Sequence, residues 1–187
     1  MQALLIATTT VALAEIGDKT QLLALMMAAR YRKPGPIIAG IFVATLANHA
    51  ASAWVGAWLA GFFSAQALRA MVIVSFLAVA AWSLVPDKLD EDARPARFGP
   101  FLATLVAFFL VEIGDKTQVA TIVLAANYSP LWQVIVGTTA GMLLANVPVV
   151  VLGARFSQRL PLRAARITAA LLFAGLACWV AWQGWGQ

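Results

Sequence analysis

The heptapeptide EIGDKTQ occurs twice in the chain, at residues 15–21 and again, letter for letter, at residues 112–118. Each copy lies inside an apolar stretch long enough to cross a membrane. Ionisable side chains are rare at that depth, and those that occur usually face a polar cavity and mark an ion or substrate pathway. Two identical charged segments in such places therefore indicate a site that handles ions.

The acidic residues give the sharpest signal. Four of the eight lie in a polar stretch between residues 86 and 99, and every other acid belongs to a copy of the heptapeptide: Glu15, Asp18, Glu112 and Asp115. On a continuous helix the two acids of one copy lie three residues and about 60° apart around the axis, so both carboxylates point into one sector. These four carboxylates predict a cation site to which both copies contribute.

A purely structural interpretation is that Lys19 and Lys116 each neutralise the glutamate four residues before them. That pairing leaves both aspartates without a partner. Four carboxylates and two ammonium groups leave two negative charges, which one divalent cation or two protons would balance. The functional interpretation accounts for all four acids, and it is the one that we favour.

The available ligand atoms suit hard cations such as calcium, magnesium and manganese, which prefer oxygen. The single cysteine, Cys178, offers no thiolate cluster for zinc or copper. The copies also carry hydroxyl and amide groups that would ligate the ion, position the acids or bond neighbouring helices. These supporting residues are Thr20, Gln21, Thr117 and Gln118.

Two asparagines in other apolar stretches, Asn48 and Asn146, are predicted as further supporting ligands. They correspond to each other only if one residue is inserted into the alignment of the two halves. His49 is the only histidine, and we favour a packed or hydrogen-bonded role for it over metal ligation. As a ligand it would favour manganese over calcium, which rarely takes nitrogen.

Six apolar stretches must position these residues. The chain has 187 residues, of which 62% are hydrophobic and 11% charged, a composition typical of membrane proteins. Each stretch holds about 20 or more mostly apolar residues, enough to span a hydrocarbon core roughly 30 Å thick. The predicted fold is an all-α integral membrane protein with spans near Gln2–Ala29, Pro36–Ala60, Ala67–Val85, Pro100–Ala126, Pro130–Gly153 and Ala164–Trp185.

The chain is an internal duplication, because the match between the copies continues beyond them at the same offset of 97 residues. Gly40 faces Gly137, and Gly56 faces Gly153. The predicted units are a three-helix repeat at residues 1–85, a cytoplasmic polar linker at residues 86–99, and a second three-helix repeat at residues 100–187. An odd number of spans in each half predicts two repeats of inverted topology.

The basic residues predict the orientation. Apart from the two lysines of the copies, they fall almost entirely in alternate loops on one side, and Arg69 alone lies near the other. The rich side is cytoplasmic by the positive-inside rule, so both termini are predicted to lie outside. The residues on the rich side are Arg30, Arg32, Lys33, Lys88, Arg94, Arg97, Arg155, Arg159, Arg163 and Arg166.

The pattern E-φ-G-D-[KR]-[ST], where φ is hydrophobic, resembles that of the cation transporters that include the eukaryotic Golgi calcium/manganese proton antiporters and the bacterial manganese exporters. Glu15–Thr20 and Glu112–Thr117 both match at every defined position. The resemblance implies a secondary transporter that exports divalent cations, above all Mn²⁺, in exchange for protons by alternating access. The acids of both copies would bind the ion near the midplane without a cofactor, in a bacterial inner membrane.

Other classes fit the sequence less well. A Ca²⁺/H⁺ antiporter of the same mechanism and a passive divalent-cation channel remain as alternatives. An enzyme is not expected, because the sequence lacks the GxGD and DDxxD patterns and a serine or metal mechanism would need more than one histidine. Nucleic acid is not an expected partner, since the basic residues lie in short loops between spans. An oligomer is possible, but the sequence does not indicate its size.

Overall fold

A computed structural model of the chain describes residues 1–85, 98–153 and 162–185, and within these ranges every regular element is an α-helix. The prediction of an all-α fold is confirmed for this part of the chain. In order, the helices are α1 (Gln2–Glu15), α2 (Lys19–Tyr31), α3 (Pro34–Ala60), α4 (Ala65–Ser83), α5 (Pro100–Glu112), α6 (Lys116–Asn127), α7 (Leu131–Leu152) and α8 (Leu162–Trp185).

Four predicted spans are single helices, namely α3, α4, α7 and α8. Three helices of the described residues are long and apolar enough to cross a membrane by length and composition: Pro34–Ala60, Gln66–Ser83 and Leu131–Leu152. Shorter apolar helices occupy Gln2–Glu15, Pro100–Glu112 and Arg166–Trp182. The length and composition of these apolar helices indicate that the chain is an integral membrane protein.

The prediction of one continuous helix over Gln2–Ala29 is wrong, and so is the prediction over Pro100–Ala126. The first stretch is divided into α1 and α2, and the second into α5 and α6. Each heptapeptide lies at such a break. Its glutamate is the last residue of one helix and its aspartate caps the next, so the two acids do not share a sector of a continuous helix.

The break results from the residues between the two acids. Ile16 is extended, Gly17 has a φ of 81°, and Asp18 is extended again as the N-cap of α2. Gly114 repeats the positive φ at 76° in the second copy. Glycine adopts such angles without steric cost, and aspartate is a preferred N-cap, so the sequence G-D both stops one helix and starts another.

Helices α1 and α2, the two pieces of the first broken helix, both run parallel to α7. Small residues allow the backbones to approach closely, and the contacts continue on both sides of the break. The pairs, in order along α7, are Gly137 with Leu4, Gly141 with Thr8, and Ala145 with Gln21. Together α1 and α2 therefore form one interrupted passage beside α7.

The second broken helix follows α3 in the same manner. The contacting pairs, in order along α3, are Gly40 with Phe101, Asn48 with Phe109, and Gly56 with Ile122. The contact of Gly40 with Phe101 repeats that of Gly137 with Leu4 at the offset of 97 residues. Each half thus contributes a broken helix that packs against the long helix of the other half.

Hydrogen bonds identify which helix ends lie near one another. At one end, the Tyr31 hydroxyl, on the last residue of α2, donates to the carbonyl of Phe98, just before α5, at 3.2 Å. At another, the amino terminus of Met1 donates to Gln133 in the first turn of α7 at 2.9 Å. These contacts agree with the predicted sides of the membrane, since the end of α2 and the start of α5 were predicted on one side and the amino terminus and the start of α7 on the other.

The predicted linker lies outside the described residues except for Phe98 and Gly99. The loop residues Lys88, Arg94, Arg97, Arg155 and Arg159 also lie outside them.

Alanine at Gly40 or Gly137 should destabilise these helix pairs. A Cβ would lie 2.7 Å from the carbonyl oxygen of Phe101 at Gly40 and 2.7 Å from that of Leu4 at Gly137, so a helix must shift. We expect each variant to lose about 1–3 kcal/mol of unfolding free energy, the usual effect of overpacking, measured as a lower thermal unfolding midpoint in detergent.

The matched control is Gly35→Ala, because a Cβ at Gly35 has no neighbour within 4 Å. If the Gly40→Ala and Gly137→Ala proteins unfold at the same temperature as the control, the close packing of the two helix pairs is wrong.

Candidate functional site

The two helix breaks meet inside the protein and bring the predicted carboxylates together. All four are fully buried: Glu15, Asp18, Glu112 and Asp115. One oxygen each of Glu15, Glu112 and Asp115 lie within 4.8 Å of one another. Oxygens that bind a hard cation lie about 2.0–2.6 Å from it, so opposite ligands are about 4–5 Å apart. These three carboxylates can therefore reach a single ion.

The lysines form ion pairs across the duplication. Lys19 Nζ lies 2.8 Å from Asp115 Oδ1, and Lys116 Nζ pairs with Asp18 Oδ1. The structure thus has ion pairs between the copies, in place of the pairs within each copy that the purely structural interpretation assumed. The physical reason is the break, which makes each lysine the first residue of a new helix and removes the i,i+4 geometry.

The ion pairs differ in their exposure. The Lys116 side chain is 4% exposed and that of Lys19 is 22% exposed, while both aspartates are fully buried. A buried ion pair does little for net stability, but removing one partner leaves a costly unpaired charge. The Lys116–Asp18 pair should therefore be the more sensitive of the two to the loss of its lysine.

The threonines of the two copies hold the glutamates. Thr20 Oγ1 donates a hydrogen bond to Glu15 Oε2. Thr117 Oγ1 lies 3.1 Å from Glu112 Oε2 and 3.3 Å from Asp115 Oδ2. Among the described residues, Oε1 of Glu15 and of Glu112 has no hydrogen-bond partner. Each threonine therefore fixes one oxygen of a glutamate and leaves the other available.

The glutamines hold the backbone at the breaks. Gln21 Oε1 accepts from the Gly17 N–H at 2.9 Å, and its Nε2 donates to the carbonyl of Ala145 at 3.0 Å. Gln118 Oε1 accepts from the Gly114 N–H at 2.7 Å. The contacts to Gly17 and Gly114 satisfy backbone N–H groups at the breaks, as apolar surroundings require. Both glutamines are thus placed to support the site rather than to ligate an ion directly.

The two asparagines occupy different environments. Asn48 Nδ2 donates at 3.0 Å to the carbonyl of Phe109, in the last turn of α5. Asn146 Nδ2 donates at 3.0 Å to the carbonyl of Met142 in its own helix, and its buried Oδ1 has no hydrogen-bond partner among the described residues. Asn48 therefore supports the end of a broken helix, and Asn146 retains a free acceptor.

His49 lies beside the carboxylates without a hydrogen bond to them. The side chain is fully buried, its Nε2 is 3.9 Å from Glu112 Oε2, and neither ring nitrogen has a hydrogen-bond partner among the described residues. Of the two roles predicted together, packed or hydrogen-bonded, the full burial of His49 agrees with the packed one. At the offset of 97 residues, His49 corresponds to Asn146 without any insertion, so these two residues are the equivalent pair.

Sequence reasoning missed the two helix breaks at the site. The positive φ of Gly17 and Gly114 separates each glutamate from its aspartate, so that α1 ends at Glu15 and α5 ends at Glu112. Glycine followed by aspartate is a recognised stop and start signal for helices, so the signal was present. We did not apply this signal, because the apolar residues on both sides of each Gly-Asp pair favour one continuous span.

A bundle of apolar helices with buried carboxylates at paired helix breaks is the architecture of a membrane transport protein for cations. The sequence profile of the divalent cation/proton antiporter GDT1 family matches residues 3–91 and 100–187, and the chain belongs to this family. The resemblance inferred from the two heptapeptides is confirmed. Membership indicates a transporter rather than an enzyme.

A relative supports the same assignment. The protein named "Putative manganese exporter" of Vibrio cholerae serotype O1 (strain ATCC 39541 / Classical Ogawa 395 / O395) is 57% identical over 174 residues, which cover 92% of this chain and 87% of that protein. No solved structure matches the chain.

The ion pairs between the copies can be tested by removing each lysine. Lys116→Met should cost about 3–5 kcal/mol of unfolding free energy, because it removes the lysine that forms an ion pair with the buried Asp18 carboxylate. Lys19→Met should cost less, since the Lys19 side chain is more exposed. The measurement is thermal or denaturant unfolding of the purified variants in detergent.

Adding Asp18→Asn to Lys116→Met should restore much of the lost stability, because it removes the unpaired charge. Adding Glu112→Gln instead is the matched control, and it should restore less. A larger rescue by Glu112→Gln would show that Lys116 pairs within its own copy.

Proposed function

We propose that this protein exports Mn²⁺ from the cytoplasm in exchange for protons, by alternating access through the site at the two helix breaks. The observation that carries the proposal is the buried cluster of Glu15, Glu112 and Asp115, whose oxygens lie within 4.8 Å of one another. The proposed ligands are these three residues and Asp18. The name of the 57% identical relative supports manganese as the ion.

The proposed architecture has six passages through the membrane, arranged as two inverted three-helix repeats at residues 1–85 and 100–187 with a cytoplasmic linker at residues 86–99. The pair α1–α2 and the pair α5–α6 each form one interrupted passage. An inverted arrangement is supported by the packing, since α7 runs parallel to α1–α2 and α3 runs parallel to α5–α6. Discontinuous helices at a repeat interface are typical of ion sites in secondary transporters.

Helix ends support a cation at this place. Glu15 and Glu112 are the last residues of α1 and α5. The C-terminus of a helix carries a partial negative charge, because its last carbonyls lack intrahelical partners. The N-termini of α2 and α6 lie at the same breaks with the opposite partial charge, but their N-cap residues Asp18 and Asp115 are carboxylates. The carboxylates would therefore supply most of the attraction for a divalent cation in an otherwise apolar interior.

Coupling to protons follows from the charge of the site. Four buried carboxylates and two lysines carry two net negative charges when every carboxylate is ionised. One divalent cation or two protons would neutralise them, and both would occupy the same oxygens. Metal binding would therefore release protons, and protonation would release the metal.

Alternating access turns this competition into exchange. The inward-facing site would load Mn²⁺ from the cytoplasm, and the outward-facing site would release it on binding protons. Return of the empty site with two net negative charges through a closed, apolar state would be costly. Only the site loaded with Mn²⁺ or with protons would therefore reorient across the membrane. Protons would then not flow inward unless metal is exported.

The experiment reconstitutes the protein into proteoliposomes and follows metal-dependent proton movement with a pH-sensitive dye, with Mn²⁺ and Ca²⁺ compared. Glu15→Gln, Asp18→Asn, Glu112→Gln and Asp115→Asn should each reduce exchange to near the background of empty liposomes. The control is Thr138→Val, because the Thr138 hydroxyl donates only to carbonyls of its own helix. Full exchange by all four neutral variants, or no proton movement in the wild type, would refute the mechanism.

Orientation needs a separate test. The loops that contain Arg30–Lys33 and Arg155–Arg166 are proposed to be cytoplasmic in a bacterial inner membrane, with both termini outside. A periplasmic reporter such as alkaline phosphatase should be active when fused to the C-terminus and inactive when fused in the 86–97 linker. The opposite pattern would reverse the proposed direction of transport.

A further inference from the structure

One face of α3 carries polar atoms that the protein leaves without partners. Thr45, His49 and Ser52 are spaced i, i+4 and i+7, so they lie on the same face of the helix. All three are buried, with exposures of 0%, 0% and 3%. Among the described residues, the Thr45 and Ser52 hydroxyls and both ring nitrogens of His49 have no hydrogen-bond partner.

These hydroxyls differ from others in the same protein. A serine or threonine in an apolar helix normally donates to the carbonyl four residues before it. Thr8, Ser83, Thr104, Thr121 and Thr138 all do so, at 2.7 to 2.9 Å. Thr45 and Ser52 do not, although the same carbonyls are available in α3. Their hydroxyls therefore point away from the helix backbone.

The middle of this polar face lies beside the carboxylates. His49 Nε2 is 3.9 Å from Glu112 Oε2, too far for a hydrogen bond. One water molecule can bridge two atoms at that separation. His49 is not part of the group of ligand atoms that lie within 4.8 Å of one another, so in this geometry it does not share an ion with all three carboxylates.

The carboxylates alone do not complete the coordination of a hard cation. Manganese in an oxygen site takes about six ligands in octahedral geometry. Glu15 and Glu112 each have one oxygen engaged by a threonine, Thr20 and Thr117 respectively. Asp115 contacts Lys19 through Oδ1 and Thr117 through Oδ2. The oxygens without such a contact are Oε1 of Glu15 and Oε1 of Glu112, so several coordination positions remain to be filled.

We propose that Thr45, His49 and Ser52 form a hydrated wall that holds water molecules against the bound ion, so that the protein transports a partly hydrated divalent cation. The inference rests on the proposed ion site at the helix breaks. The neutral side chains of this wall would bond the water, and the water would fill the coordination positions that the carboxylates leave open. The ion would then shed only part of its hydration shell on entry, which lowers the cost of entry.

The duplication does not repeat this polar face position by position. At the offset of 97 residues, Thr45 and Ser52 correspond to Met142 and Val149, which are buried and apolar. The central position stays polar, as Asn146, whose Oδ1 has no hydrogen-bond partner among the described residues. The α3 face is therefore the one on which all three equivalent positions are polar.

The test uses pulsed electron paramagnetic resonance of Mn²⁺ bound to the purified protein in D₂O. Deuterium modulation from coordinated water should be present in the wild type and reduced in the Thr45→Val, Ser52→Ala double variant. The Mn²⁺ affinity of that variant should fall about 10- to 100-fold, as for other residues that support metal ligands. Thr138→Val serves as the control, and it should leave both the modulation and the affinity unchanged.

The outcomes separate this inference from the proposed function. If the wild type binds Mn²⁺ without exchangeable water, or with directly coordinated nitrogen that His49→Ala removes, the hydrated wall is wrong while the ion site stands. If the wild type binds no Mn²⁺, the proposed function fails and this inference fails with it.

The unfolding temperature gives a second test, because the Thr45→Val, Ser52→Ala substitutions should raise it if the hydroxyls are dry and should not raise it if they bond water. Buried hydroxyls without partners destabilise a protein, and their replacement by apolar groups of similar shape is then favourable. The Thr45→Val, Ser52→Ala protein should unfold at or below the wild-type temperature if these hydroxyls bond water. A clear rise in the unfolding temperature would overturn the proposal.

Discussion

The structure depends on the burial of four carboxylates and two ammonium groups within an apolar helix bundle. Isolated charges at this depth would prevent folding, so each must be paired, hydrogen-bonded or neutralised. Lys19 pairs with Asp115 and Lys116 with Asp18, so the electrostatic contacts of each copy are completed by the other. The two ion pairs therefore link the association of the halves to the geometry of the site.

The helix breaks allow the buried charges of one copy to pair with those of the other. On one continuous helix the glutamate and lysine of each copy would pair with each other and leave little reason for the halves to meet. The positive φ of Gly17 and Gly114 instead separates them, and the glutamate stays at the end of one helix while the lysine begins the next. The glutamines then satisfy the N–H groups of these glycines. Part of the free-energy cost of interrupting a helix in an apolar interior is thus offset by residues of the heptapeptide itself.

Much of this could be predicted from the sequence. Composition and apolar length predicted the helices, and the identical copies predicted which acids converge, because few residue types are tolerated at that depth. The breaks were not predicted, since hydropathy averages over a window of about 20 residues and three residues change it little. The partners of Lys19 and Lys116 could not be predicted either, because i,i+4 pairing assumes an unbroken helix. Contacts between distant residues, such as Asn48 with Phe109, depend on packing that no local pattern encodes.

The two halves share part of their packing but differ in chemistry, and this difference bears on how an exchanger can work. Gly40 and Gly137 make the same close contact in both halves, whereas Gly56 packs closely and its equivalent Gly153 does not. The site itself is asymmetric, since His49 faces Glu112 where the other half has Asn146, and Lys19 is more exposed than Lys116. A fully symmetric site would offer the ion the same environment from both sides. Under the proposed exchange and the proposed hydrated wall, water and neutral donors would lie on the Glu112 side. The more buried Lys116–Asp18 pair would keep the halves together, so that loading and release of the ion need not disrupt this contact between them.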